Sequence, residues 1–477
     1  MGIARNYVYN LILTVSNILV PFITIPYISR VLNPEGIGAV SFTNSIVQYF
    51  VMFAVLGLTL YGPREIASKR NSSEKLRATF WNLQYTKILT VLVSYAFFLV
   101  FVFFFSNEKY YSLYLIQSFL ILNTFFDITF LFSGLEDFQK ITIRGLLVRI
   151  ISTFLIFVLI KKPSDYILYA LINVISTLFG SFIMWFYLPK DLKITRPSLN
   201  EIKNHLLGSL KLFIPIVAIQ IYTILDKTMV GILSTEAEVS YYTMSQRLVN
   251  LILALITSLG PVMMSRISNL VSNEQHEQVE GYIRIIFDFV TYASILAIIL
   301  TVFTMNDFVP IFFGSKFLKV KDLIIYITPI ILFISWSNLF GIQVMVPMKK
   351  EKYLTISVVA GAVINFTLNL ILIPKYQSLG AVIGTVAAEF TVTLVQMIFV
   401  RKLITLKPLY NEIWKHLLAG TATFSLLFFF TKINISPFIN IILKIVIGFS
   451  IYILIEHILK SSTNKMIMQK IFAFLKR

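Results

Sequence analysis

Long apolar runs recur along almost the whole of this chain, and they constrain its fold more than any other feature. A helix that crosses a membrane needs about 20 mostly apolar residues. Fourteen runs of roughly that length follow one another: 7–29, 37–60, 80–105, 111–132, 142–160, 165–187, 210–233, 240–262, 283–305, 322–346, 354–373, 378–400, 411–431 and 437–458. We therefore predict an all-α membrane protein of about fourteen transmembrane helices.

The composition excludes several other classes of protein. Of the 477 residues, 57% are hydrophobic and only 13% are charged, whereas soluble proteins carry roughly 25% charged residues. The chain has no cysteine, which excludes disulfides, thiolate metal sites and a cysteine nucleophile. The net charge of +18 lies in lysines and arginines of short loops between apolar runs. That placement is typical of membrane topology, and we expect no nucleic-acid partner.

The distribution of the basic residues predicts the orientation. An even number of spans puts both termini on one side, and the loops of that side hold 27 of the 41 lysines and arginines, against nine on the other side. Basic loops stay in the cytoplasm, so both termini are predicted to be cytoplasmic. The first apolar run is longer than the core of a signal peptide and is predicted to be a retained helix.

The longest basic loop suggests an internal division. It lies near 188–209 and separates the first twelve spans into six plus six. We predict a six-helix lobe over 1–197, a second over 198–405, and two additional helices with a basic cytoplasmic tail over 406–477. Prolines Pro21, Pro26 and Pro215 lie in the first and seventh helices. Bent helices at matching positions suit two rocking lobes, although proline is also simply commoner in membrane helices.

Charged residues inside spans are the candidate functional groups, because each costs roughly 2.5–3.5 kcal/mol at the bilayer centre. Lys227 and Arg247 are predicted to lie about 10 Å deep on adjacent antiparallel helices, with Asp226 at the same level. The spare positive charge would attract a phosphate or an acidic sugar. Alternatively, Asp226 and Arg247 only join two helices.

Two further arginines are candidate substrate-binding residues. Arg149 lies about seven residues from the cytoplasmic end of the fifth span, and Arg30 lies at the outer end of the first. Each could bind an anionic headgroup, or could extend its guanidinium to the water nearby. Lys87 and Lys444 are predicted to lie near an interface, with their ammonium groups reaching water.

The carboxylates inside spans are candidates for coupling or gating. Glu389 is the deepest and lies close to the midplane, where burial favours its protonated form; it is a candidate proton carrier, or one member of a structural pair. Asp226 and Asp127 are the other coupling candidates, and Asp288, like Asp127, is predicted nearer the cytoplasmic face.

Motifs for enzymatic chemistry are missing from the sequence. It contains no G-x-x-x-x-G-K-[ST] phosphate loop, no H-E-x-x-H and no G-x-S-x-G, so direct ATP drive and hydrolytic catalysis are not expected. All four histidines fall in predicted loops or at helix ends. We expect no enzyme activity, no cofactor and no metal.

The N-terminal third carries the most specific motifs. They are Asn6-x-x-x-Asn10, Pro21-Phe22-Ile23-Thr24-Ile25-Pro26-Tyr27-Ile28-Ser29-Arg30, Phe42-Thr43-Asn44-Ser45 and Tyr61-Gly62-Pro63-Arg64-Glu65, joined later by Leu225-Asp226-Lys227-Thr228-Met229-Val230-Gly231. This pattern resembles bacterial polysaccharide-biosynthesis flippases, the Wzx-like branch of the multidrug/oligosaccharidyl-lipid/polysaccharide transporter superfamily. The length and the layout of spans agree over nearly the whole chain. The related lipid II flippases carry arginines within the first helix, whereas here that helix has only Arg30 at its end.

The resemblance implies a function. A member of this family would move an undecaprenyl-pyrophosphate-linked oligosaccharide from the inner to the outer leaflet of the cytoplasmic membrane by alternating access of two lobes. Its partners would be that lipid-linked oligosaccharide, membrane lipids, a polysaccharide polymerase and other assembly proteins. Two alternatives remain open: a cation-coupled multidrug exporter with a carboxylate-lined cavity, and a non-transporting scaffold of a polysaccharide assembly complex.

Overall fold

The computed structural model describes residues 3–258, 260–430 and 436–475, and over these residues it contains helices and no strand. A helix lies at each of the fourteen predicted spans. In these ranges nine helices are long and apolar enough to cross a membrane, or ten if a pair bent by 42° counts as one span. The prediction of an all-α, multi-pass membrane protein is confirmed, and the count of fourteen is consistent with it.

The chain forms two compact units, residues 1–240 and 241–477. The first contains α1 (Ile3–Val31), α2 (Pro34–Val55), α3 (Leu58–Lys69), α4 (Ser73–Phe105), α5 (Tyr111–Phe126), α6 (Thr129–Gly134), α7 (Phe138–Leu159), α8 (Tyr166–Phe186), α9 (Leu199–Leu233) and the start of α10 (Glu236–Thr257). α9 packs against α2, α3 and α4, which is why the first unit extends beyond residue 197. The predicted three-part division stays a prediction.

The second unit contains the rest of α10 and nine further helices. They are α11 (Gly260–Ser272), α12 (His276–Phe313), α13 (Lys319–Ile327), α14 (Ile330–Ser337), α15 (Glu351–Tyr376), α16 (Ser378–Val400), α17 (Ile413–Phe430), α18 (Pro437–Ile458) and α19 (Ser462–Leu475). A π-helix (Asn338–Met345) continues α14. Pro329 stands at the junction of α13 and α14, where its missing N–H interrupts the hydrogen-bond ladder and accounts for the bend.

Three helices lie where the sequence predicted loops. α3, α11 and α19 occupy parts of the basic segments near 61–79 and 263–282 and of the C-terminal tail. Each is amphipathic and too short or too polar for a span, so no apolar run of the length of a span predicts it. Pro21 and Pro26 lie inside α1; Pro215 falls within α9, but its side chain lies outside the described residues.

Aromatic side chains dominate the core of the first unit. Phe80 and Trp81 of α4 pack with Phe130 of α6 and with Met184 and Trp185 of α8. A second cluster joins α2, α4 and α5 through residues that include Val47, Phe98, Tyr114 and Ile121. These contacts hold α4 between the broken α5–α6 segment and α2.

The core of the second unit ties α17 and α18 to α12. Tyr292 and Phe303 of α12 pack with Leu427 of α17 and Tyr452 of α18. At another level of α12, Lys444 of α18 donates to the Asp307 carboxylate over 2.7 Å and is itself only 5% exposed. The prediction that Lys444 extends towards water is therefore wrong, because its buried ammonium pairs with the half-buried carboxylate of Asp307.

Large apolar side chains also cover the outside of the helices. Phe104, Phe186 and Phe429 are 78%, 77% and 76% exposed. Soluble monomers rarely expose broad apolar patches. Together with the apolar spans, these surfaces indicate helices that contact lipid directly.

Candidate functional site in the first unit

The helix of the fourth predicted span is broken near residue 127, within that span. α5 ends at Phe126 and α6 begins at Thr129, and the backbone of Asp127 between them is extended, with φ −76° and ψ 101°. The break leaves carbonyl oxygens without helical partners. Irregular backbone at membrane depth persists only where it is buried in protein or lines a cavity. The surroundings of Asp127 must therefore satisfy these groups.

Side chains from two neighbouring helices take the place of the lost helical hydrogen bonds. The donors are Gln84 and Lys87 of α4 and Trp185 of α8, and they bind respectively the carbonyls of Phe125 (2.6 Å), Asp127 and Phe126 (2.8 Å). All three donors reach the break from helices that pack beside it. The broken segment is thus held by side chains, one of which is a buried cation.

Opposite charges meet at this break. The Asp127 carboxylate accepts hydrogen bonds from the backbone N–H of Thr129 (2.9 Å) and from its hydroxyl, and lies 3.8 Å from Arg144 of α7. Arg144 also donates to Ser181 over 3.0 Å. Lys87 is 5% exposed. Lys87, Arg144 and Asp127 together carry two positive charges and one negative, which leaves a spare positive charge.

A cavity of about 190 Å³, lined by both apolar and polar side chains, lies beside the break. Its polar lining residues are Lys87, Asp127, Thr59, Thr124, Thr129 and Ser133. Because a water molecule occupies about 30 Å³ of liquid, the cavity has room for several waters or for a small anionic group. Its lining offers hydrogen bonds to either.

Arg149 is held against the first helix. Its guanidinium donates to the hydroxyl of Ser16, to the side-chain carbonyl of Asn17 and, over 3.2 Å, to the backbone carbonyl of Leu13. The spacing of these acceptors puts them on one face of α1. Asn17 is exposed and Arg149 is half-buried, so one edge of the guanidinium stays near the surface.

Replacing Arg149 with lysine should weaken the contact between α1 and α7, because an ammonium on a flexible stem cannot reproduce a planar fork with three acceptors. Loss of one or two hydrogen bonds predicts a fall of about 1–3 kcal/mol in the free energy of unfolding. Chemical denaturation in detergent micelles measures it, with the exposed Arg70→Lys as control. Equal stability of the two variants would mean that the hydrogen bonds of the Arg149 guanidinium contribute nothing to the free energy of unfolding.

Asp226 and Lys227 lie where α9 packs on α2. Asp226 is 2% exposed and Lys227 is half-buried. The next residue, Thr228, donates to Ser45 of α2 over 2.9 Å and lies 3.2 Å from the hydroxyl of Tyr49. Asp226 is therefore buried at a helix–helix contact, as either prediction for it requires.

The other predicted site residues occupy different surroundings. Arg30 is exposed at the end of α1. Arg247 is exposed on the part of α10 that belongs to the second unit, and Glu389 is 9% exposed within α16 of that unit. Their roles in binding and coupling stay predictions. Of the seven predicted residues, only Asp127 lies within the charged group at the helix break.

Sequence reasoning missed the two cations that meet Asp127. Lys87 was predicted to reach the interface, which is wrong, since its ammonium donates to the broken backbone. Arg144 lies inside α7 and was not among the predicted site residues. The signal available was Gln84 and Lys87, polar residues three apart within a predicted span and so on one face of the helix.

Comparisons with known proteins agree with this architecture. A family model described as "Polysaccharide biosynthesis protein" matches residues 3–271. A protein of Escherichia coli (strain K12) named "Putative O-antigen transporter" is 25% identical over 410 residues, which cover 84% of this chain and 97% of the relative. A protein of Shigella dysenteriae with the same name is 23% identical and covers 80% and 95%.

Solved structures share the fold. A lipid II flippase, MurJ, in an inward closed conformation superposes with a TM-score of 0.74 at 18% identity, covering 95% of this chain and 98% of that one. An inward-facing multidrug resistance transporter of the MATE family, within the MOP superfamily, gives a TM-score of 0.64 at 14% identity, covering 83% and 95%. Since the family model spans more than half of the sequence, the chain belongs to the polysaccharide biosynthesis protein family.

Proposed function

We propose that this protein is a flippase that moves a polyprenyl-pyrophosphate-linked oligosaccharide, carried on undecaprenyl, from the inner to the outer leaflet of a bacterial cytoplasmic membrane. It acts as a transporter by alternating access, and not as an enzyme. The observation that carries the proposal is the excess of positive charge beside a cavity within membrane helices, where Lys87 donates to the backbone carbonyl of Asp127 and Arg144 lies 3.8 Å from the Asp127 carboxylate.

The chemistry of that site suits a pyrophosphate. In a low-dielectric interior an uncompensated cation attracts an anion far more strongly than it does in water. Phosphate oxygens accept charge-assisted hydrogen bonds from lysine and arginine, and the neighbouring hydroxyls suit phosphate or sugar oxygens. Arg149, Lys227, Arg247 and Arg30 are the further cations that we assign to the path of the headgroup.

The carboxylates of Asp226, Glu389 and Asp127 couple transport to the movement of an ion, or gate the transport path. Membrane lipids surround the protein and hold the polyprenyl tail, and the polymerase and other assembly proteins of the same polysaccharide are its candidate partners. We assign both termini to the cytoplasm, because basic loops stay on that side of the membrane.

A deletion and complementation experiment tests this function. Cells without the protein are expected to strand the lipid-linked oligosaccharide on the cytoplasmic leaflet, and the wild-type gene restores it to the outer leaflet. Arg149→Ala, Lys227→Ala and Arg247→Ala should each reduce outer-leaflet glycolipid roughly ten- to a hundredfold, the effect of one lost charge-assisted contact. Accessibility of the sugar to an impermeant lectin reads the leaflet.

Lys75→Ala is the matched control, since Lys75 is an exposed lysine at the start of α4. It should complement like wild type. If the deletion leaves the glycolipid distribution untouched, the flippase proposal is wrong. A cation-coupled exporter would then become the working model, with Asp127 and Glu389 as the residues to vary.

A further inference from the structure

The second unit buries a pair of titratable groups that the proposed transport path does not use. The imidazole of His416 in α17 lies 2.7 Å from the carboxylate of Glu456 in α18, measured from Nδ1 to Oε1. Both side chains are completely buried. A histidine and a glutamate at this distance share one hydrogen, and the pair can take up another.

The histidine of the pair also keeps a polar atom without a protein partner. Among the described residues, no group forms a hydrogen bond with Nε2 of His416, and the same holds for Oδ1 of Asp288 nearby. Buried polar atoms are normally paired, and leaving them unpaired costs free energy. Each of these atoms has a lone pair that can accept a proton.

The charges around the pair favour one additional proton. Several ionisable groups lie on the surrounding elements. They are Arg284, Asp288 and Tyr292 of α12, Tyr410 and Glu412 just before α17, Lys415 of α17, Tyr452 and the exposed His457 of α18, and the exposed Lys460 and Lys465. With His416 neutral, the carboxylates of Asp288, Glu412 and Glu456 face only two buried or half-buried cations. The group then has a charge of −1, which a proton neutralises, and buried net charge is costly.

The pair also lies close to the chain turns that could admit a proton. His416 is the fourth residue of α17, and Glu456 is the third from the end of α18. Helix ends open locally at far lower cost than helix centres. Exchange with water therefore needs only a local opening where α18 meets α19.

Protonation can be transmitted to α19. The backbone N–H of Ser462, the first residue of α19, donates to Glu412 over 2.9 Å, and its hydroxyl lies 3.4 Å from Asp288. Two carboxylates thus stabilise the positive end of this helix. A positive charge on His416, beside Asp288, competes for the same carboxylate. The charge state of the pair consequently biases the docking of α19.

We propose that His416 and Glu456 form a site that binds and releases one proton in each transport cycle. The proton comes from water and adds to Nε2 of His416, while the Nδ1–H donates to Glu456 as before, so an imidazolium faces a carboxylate. Release reverses this step, and no electrons move. The link to transport rests on the flippase function proposed above, whereas the binding of a proton does not.

A purely structural role would make the same pair a joint between helices. The chain offers a matched control for that role, because Lys444 and the half-buried Asp307 form another ion pair, which joins α18 to α12 over 2.7 Å. Oδ2 of Asp307 accepts hydrogen bonds from both Lys444 and Asn440. Asp307→Asn therefore removes one charge from the same bundle without touching the His416–Glu456 pair.

The experiment uses the full chain in proteoliposomes with total polyprenyl-pyrophosphate-linked oligosaccharide extracted from the deletion strain. For one coupled proton, a gradient of one pH unit should change the steady-state leaflet ratio by about tenfold. Wild type and Asp307→Asn are expected to show this change, whereas Glu456→Gln and His416→Gln should show none. Melting in micelles confirms that each variant is folded.

Infrared spectroscopy of the same proteins separates the two proposals. Wild type should show an imidazole or carboxyl band that changes when a proton binds to the pair, and Glu456→Gln should lose that change. If wild type moves no glycolipid, the flippase function fails and the infrared titration alone decides the proton site. A gradient response retained in folded Glu456→Gln, or lost only in Glu389→Gln, overturns the proton site.

Discussion

Alanine at Gly38 is expected to separate α2 from the start of α10. A Cβ atom at Gly38 would lie 1.6 Å from the backbone carbonyl oxygen of Glu236, far inside the contact distance. A backbone carbonyl at a helix start cannot rotate away as a side chain can. The two segments must therefore move apart, and the hydrogen bonds of Glu236 with Lys109 and Tyr110 should break with them.

The size of this effect follows from overpacking, which costs about 1–3 kcal/mol. Such a cost reduces the population of the closed contact about 5- to 150-fold, and we expect the upper end because the obstructing atom belongs to the backbone. Alanine is also a better helix former than glycine by roughly 1 kcal/mol. An effect on helix α2 alone would thus have the opposite sign.

Cross-linking measures the separation without background, because the chain contains no cysteine. Cysteines at positions 109 and 236, joined by a short bis-maleimide, should react efficiently in the parent and poorly when Gly38→Ala is added. Gly281→Ala is the control, since a Cβ there meets nothing within 4 Å. In Gly38→Ala the transport activity should fall together with the cross-linking yield. An unchanged yield in Gly38→Ala would refute the close contact.

Methionine at Lys87 should be the most destabilising of the charge substitutions. Methionine keeps the length of the unbranched stem, but the carbonyl of Asp127 loses its donor and the carboxylate of Asp127 keeps only Arg144 as a cation. Breaking a buried charged contact on one side typically costs about 3–5 kcal/mol. Chemical denaturation in micelles should show a loss of this size, and outer-leaflet glycolipid should fall with it.

Lys75→Met, on the exposed start of the same helix, should change the free energy of unfolding by less than about 0.5 kcal/mol. The double variant Lys87→Met/Asp127→Asn should recover part of the loss, because it removes the carboxylate that the single change leaves underneutralised. A coupling of about 0.5–3 kcal/mol is expected for groups in contact. Strict additivity would show that the two charges do not interact.

Much of the fold could be predicted from local properties of the chain. Each of the fourteen predicted spans coincides with a helix, because a helix-length apolar run in lipid has to satisfy its backbone hydrogen bonds internally. The amphipathic α11 and α19 were missed for the converse reason. Their polar faces interrupt the apolar signal, and they form because one face packs on other helices.

The candidate site was predictable only in part. Asp127 stood out because a carboxylate in a span is costly, and this cost can be judged from position alone. The break beside it carries neither glycine nor proline, so no local signal marked it. It exists because Gln84, Lys87 and Trp185 replace the lost helical bonds.

For the buried charges, too, the position in the sequence and the tertiary contacts decide different things. The sequence by itself determined which segments are helices in lipid and which residues would be expensive to bury there. Only the tertiary structure decided that Lys87 meets Asp127, that Lys444 meets Asp307 and that His416 meets Glu456. Those pairings join residues 40 or more positions apart. The packing of the helices decides which charged groups meet in a low-dielectric interior. No local pattern of residues encodes that packing.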